Sequence, residues 1–142
     1  MCSDIVLEEI PPESAQHVAA PSYEDGAPTG GDHLPCWASY GVYDEPLEPG
    51  RFVHNLEHGA VVLLYECPEG CADEQAQLEE FGRTHERTIV SPQTNLPARF
   101  AVVAWGHRLL ASCVDLDAIQ AFYDAHFRMG REDVASGAPD GC

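Results

Sequence analysis

Two histidines and a glutamate fall within five residues in "HNLEH", His54 to His58, directly ahead of the aliphatic run "GAVVLLY". Imidazole nitrogens and a carboxylate are donors that hold borderline transition metals, so a metal site is the first chemistry to weigh. Spacing decides whether one can form. Donors about 2.1 Å from a tetrahedral ion lie roughly 3.4 Å from each other. Residues four apart on a strand are roughly 13 Å apart, out of reach, whereas one turn of helix brings them to roughly 6 Å. The pair therefore serves one ion only if "VHNLEH" is a helical turn or tight loop. Gly59 is where such a turn should stop, before the β-branched residues begin.

A third nitrogen is expected from His33, which "GGDHLP" holds in a loop between glycines and a proline. Met129, in "FRMGRE", offers a thioether. The expected ligands are thus His33, His54, His58 and Met129. A thioether favours copper, which is the expected ion; a set completed by Glu57 instead suits zinc, the alternative. The plainer alternative makes the histidines surface or capping groups and Met129 a core filler. His107, in "WGHR", is a spare candidate, while His17, His85 and His126 read as tail or exposed helix residues and are not enlisted.

Catalytic readings are weaker. "HNLEH" matches the H-x-x-E-H signature of zinc proteases, with Glu57 as general base and Glu132 as a third ligand. That signature needs a long helix, which Gly59 interrupts, and a cleft between halves that 142 residues do not build. "HLPCW" sets His33 three residues before Cys36, near enough to activate a thiolate, but a disulfide is the commoner fate of one cysteine among six. No phosphate loop, serine elbow or dinucleotide fingerprint is present. The expected protein binds its metal without catalysis. The alternatives are a zinc-dependent hydrolase and a non-catalytic interaction module built on exposed Trp37, Tyr40 and Tyr43.

The chain must then supply elements that bring these donors together. Its 142 residues suit one domain, and 44% hydrophobic residues suffice to fill its core. Against 24 Asp and Glu stand 7 cations, all arginine, giving a net charge of -17. Such a surface repels nucleic acid and anionic lipid. Six cysteines in so short a chain point to disulfides and an oxidising compartment, and "CPEGC" reads as a loop closed by a local bridge. No window is apolar enough for a membrane span. The opening "MCSDIV" places a cysteine where a lipoprotein would carry its lipid, so a lipid anchor is expected at Cys2.

Residues 1–30, rich in Pro, Gly and acids, read as an extended N-terminal arm or tether; 31–134 as a single α+β metal-binding domain; 135–142 as a loose tail. "GAVVLLYEC" and "TIVSPQ" are strands, and "ARFAVVAWGHRLLASC" is two strands joined near Gly106–His107 or one bent strand. "ADEQAQLEEFGRTHER" is a helix with acids early and arginines late, and "DLDAIQAFYDAHFRMG" an amphipathic helix capped near Asp115. The result is a small mixed sheet with two main helices packed on it, braced by disulfides. Its strand–strand–helix half after "NLP" resembles a thioredoxin-like fold in architecture, with no CxxC ahead of a helix.

Four blocks, "GGDHLPCWASYGVYDEP", "RFVHNLEHGAVVLLYECPEGC", "SPQTNLPARFAVVAWGHRL" and "IQAFYDAHFRMGRED", resemble the bacterial domain-of-unknown-function family numbered 3105 over about residues 28 to 133. His-Asn-Leu-Glu-His-Gly is the most specific of the shared segments. The resemblance implies an exported protein, periplasmic or at the cell surface, and His33, His54 and His58 acting as one unit. "FRMGRED" departs from the Gly-Pro-Glu expected at the family's end.

Overall fold

The structure, a computed structural model, describes residues 2–134. The expected C-terminal tail, with Cys142, lies outside the described residues. Nine elements follow one another: β1 (Val6–Glu9), β2 (Gly41–Val42), α1 (Pro49–Glu57), β3 (Val61–Tyr65), α2 (Ala72–Thr84), β4 (Thr88–Pro92), β5 (Phe100–Ala104), β6 (His107–Ala111) and α3 (Leu116–His126). The six strands form one mixed sheet in the order β1-β6-β5-β3-β4-β2.

The centre of the sheet follows from its most apolar segment. "VVLLY" has no polar face and becomes β3, buried along its whole length between β5 and β4. A strand covered on both sides has to be apolar on both sides. It runs parallel to β4, with α2 as the crossover, and antiparallel to β5. β5 and β6 are two strands rather than one bent strand. A two-residue turn at Trp105–Gly106 joins them, and Gly106 takes the positive φ of 82° that the turn requires.

Alternation along the strands divides the core between the two faces. Val61, Leu63 and Tyr65 point to the side covered by Leu78 and Phe81 of α2 and by Ile119, Phe122 and Tyr123 of α3. Val62 and Leu64 point to the other side, under Phe52, Val53 and Leu56 of α1. The two main helices thus share one face, and α1 takes the opposite one with the loops around Ala27, Ala38 and Leu47. Asp115 caps α3, accepting from the Ala118 N–H at 3.1 Å.

Within the stretch read as an N-terminal arm, residues 6–9 pair with β6, Val6 opposite Leu110 and Glu9 opposite His107. Cys2 is bridged to Cys113. Its sulfur then has no bond left for a lipid thioether, which sets aside the anchor expected there. A second bridge joins Cys67 to Cys71, as expected for "CPEGC". No helix among the described residues is long and apolar enough to cross a membrane.

Trp37, Tyr40 and Tyr43 do not form the exposed aromatic patch expected of an interaction module. All three are half-buried. Tyr40 and Tyr43 pack against the α1-side core, and Trp37 lies against His54 and His58. Aromatic area of that size gains more from the core than from water.

Candidate metal centre

"VHNLEH" is helical, as the spacing required. It forms the last turns of α1, a nine-residue helix begun by Pro49 at its first position. His54 and His58 lie on adjacent turns, with ring centroids 4.7 Å apart. The helix stops where glycine allows: Gly59 has φ of +93°, and a Cβ there would come 2.7 Å from the Arg128 Cα. Arg128 donates its backbone N–H to the Gly59 carbonyl at 2.9 Å, so the segment after α3 is docked against the end of α1.

His33 reaches the same place from its loop and is fully buried. Its Nδ1 donates to the Gly31 carbonyl at 2.8 Å, and its Nε2 faces Glu57 Oε1 at 3.1 Å. That second contact is chemically demanding. With Nδ1 committed to a carbonyl, the Nε2 lone pair meets a carboxylate oxygen unless a proton or a metal ion lies between them. Glu57, 1% exposed, is held at its other oxygen by the exposed Arg131, at 2.9 Å.

His54 is oriented in the same manner. Nδ1 donates to the Leu34 carbonyl at 2.8 Å, leaving Nε2 as the nitrogen that could coordinate. Burial pushes the pKa of His54 below its ordinary 6.5, and burial does the same for His58. Neutral imidazoles are the form that binds metal. Trp37 closes this side, its ring 5.2 Å from His54 and 5.4 Å from His58.

The donor that sequence reasoning passed over is His17. A short parallel bridge fixes it beside His33, through Val18 N–H to His33 O at 2.8 Å and His33 N–H to Gln16 O at 2.9 Å. Its ring centroid lies 5.1 Å from His33 and 4.8 Å from His54. One donor atom from each of His17, His33, His54 and Glu57 lies within 4.8 Å of the other three. This group could hold a metal ion. The spread exceeds the roughly 3.4 Å of a tetrahedral shell, so closing on an ion asks for modest side-chain rotation.

The four expected ligands are therefore placed differently. His33 and His54 converge. His58 sits beside His54 but outside the convergent group, and Met129 is 68% exposed just beyond α3. Glu57, read as a catalytic base for a hydrolase, stands among the donors with both oxygens engaged. Glu132 meets it through the backbone, donating its N–H to the Glu57 carbonyl at 2.7 Å. Cys36 is disulfide-bonded and buried, which removes the activated thiol considered for "HLPCW".

A family model described as "Protein of unknown function (DUF3105)" matches residues 14–139, a span that contains every donor named above. No curated protein and no solved structure matches the chain.

Proposed function

The chain belongs to this family of proteins of unknown function, DUF3105, and from that premise we propose that it is an exported domain holding one first-row transition-metal ion through His17, His33, His54 and Glu57. The observation that carries the reading is the buried contact between His33 Nε2 and Glu57 Oε1, which needs a cation between its partners. The orientation of His33 and His54 by backbone carbonyls supports it, since ligating imidazoles are commonly fixed through their other nitrogen.

Three imidazoles and a carboxylate suit zinc, and copper(II) is the competing ion because it binds most nitrogen and oxygen sites more tightly. The thioether argument for copper weakens with Met129 turned to solvent. His58, beside His54, is a substitute donor should the exposed His17 swing away. The disulfides support an oxidising compartment outside the cytoplasm. The antiparallel pair β5–β6 followed by α3 supports the thioredoxin-like likeness of the second half, and the parallel β3–α2–β4 unit beside it in the order β6-β5-β3-β4 fits the same architecture.

The test is stoichiometry. Tag-free protein reconstituted with zinc or copper(II) and dialysed should retain about one equivalent by plasma mass spectrometry, and H33Q and E57Q less than about a tenth. Equal retention by both variants and the parent, or none by the parent, would overturn the reading. A proton would then be the cation, in a buried His33–Glu57–Arg131 network.

A further inference from the structure

On the other side of the sheet, the loop "CPEGC" between β3 and α2 carries chemistry of its own. Cys67 follows the end of β3 by two residues, and Cys71 is the N-cap residue of α2. Their sulfurs are bonded to each other, with the Cα atoms 5.8 Å apart. We propose that Cys67 and Cys71 form a reversible dithiol–disulfide couple that exchanges electrons with an external dithiol, rather than a staple of the fold.

The size of the ring is the first reason. This bridge links residues four apart, whereas Cys2–Cys113 links residues 111 apart. Closing a small ring removes less freedom from the unfolded chain, so a bridge of this span contributes less than half of what the long bridge does to holding the domain together. The backbone already closes the loop without it. Gly70 N–H donates to the Cys67 carbonyl at 2.9 Å, and Gln75 N–H donates to the Cys71 carbonyl at 2.8 Å, starting the helix.

Access is the second. Cys67 is half-buried next to exposed Pro68, Glu69 and Gly70, while Cys71 is only 7% exposed. An incoming thiolate therefore meets the Cys67 sulfur first. Attack there forms a mixed disulfide and expels Cys71 as the thiolate. The second thiol of the reagent then closes on the first, releases Cys67 and leaves as a cyclic disulfide. Two electrons pass from reagent to protein. The reagent's two thiol protons are released as it oxidises, and Cys67 and Cys71 each take up one from solvent.

The third reason is what awaits the expelled sulfur. Cys71 stands at the positive end of a thirteen-residue helix whose N-cap makes no side-chain hydrogen bond, so the helix dipole favours a thiolate there. Arg99 provides the cation for the other sulfur, its Nη2 lying 3.9 Å from Cys67 Sγ. Both features lower a thiol's pKa and raise its reactivity. Asp73 and Glu74 in the same turn oppose them, and Glu74 draws on Arg99 at 4.0 Å. These acids hold the couple toward the reducing side by limiting how far the thiolates are stabilised.

The proposal is independent of the metal reading and is tested on the full chain. Aliquots are equilibrated with graded dithiothreitol at neutral pH, alkylated and mapped by peptide mass spectrometry. Cys67 and Cys71 should be labelled at reductant levels at least about tenfold below those that label Cys2 and Cys113, with circular dichroism unchanged. In C71S, the remaining Cys67 should displace thionitrobenzoate from Ellman's reagent about tenfold faster than a cysteine in an unfolded peptide, and R99A should slow it about threefold. C67S/C71S should melt within a few degrees of the parent. Joint opening of both bridges, ordinary reactivity at Cys67, or unfolding of the double variant would each overturn the proposal.

Discussion

Glu57 concentrates the chemistry of the histidine cluster in one side chain, because its two oxygens meet His33 on one side and Arg131 on the other. Around it the imidazoles of His54 and His58 are held neutral by burial. The sign of the resulting pH dependence follows directly. Their folded pKa values lie below 6.5, the value the unfolded chain recovers, so as the pH falls past 6.5 the unfolded state takes up more protons than the fold. Their contribution to stability is complete above that pH and drains away below it. Metal-free protein should lose melting temperature between pH 7.5 and 5, and H54Q should flatten that slope; a slope unchanged in H54Q would exclude His54 as its source. His33 and the His54–His58 pair were legible in the sequence because a loop histidine and a four-residue spacing each have local geometry. His17 was not, since a two-stranded bridge to residues sixteen positions away has no local signature.

Elements set how firmly that cluster is held. The end of α1 depends on Gly59, whose φ of +93° and 2.7 Å approach to Arg128 leave no room for a side chain. G59A should cost about 2 kcal/mol or more, from the positive φ alone, read as a lower urea midpoint at unchanged slope. Because the same turn carries His54 and Glu57, its metal retention should fall as well. A midpoint within experimental error of the parent would show that the turn is less constrained than its geometry indicates. Segments with a strong period declared themselves in the sequence: the aliphatic run of β3, the amphipathic stripe of α3 with Asp115 as its cap, and the acid-to-arginine gradient of α2. β1 and β2 did not, because four residues with two glutamates and two residues beginning in glycine carry too little pattern. Their strand character comes from the neighbours they pair with.

At the scale of the whole molecule, the Cys2–Cys113 bridge ties the start of the described chain to the segment between β6 and α3. A ring spanning 111 residues should stabilise the fold by about 5 kcal/mol in the chain-entropy treatment. C2S/C113S should therefore melt well below the parent, while C67S/C71S does not. Equal losses from the two double variants would remove the distinction between a staple and a working couple. The pairing of Val6 with Leu110 also has a temporal meaning. A ribosome makes β1 roughly a hundred residues before its partner exists, so the earliest of these strands to be synthesised is among the last able to settle. Until then the β6 side of the sheet lacks its outermost strand, so sealing of that edge is postponed until translation has passed the final hairpin.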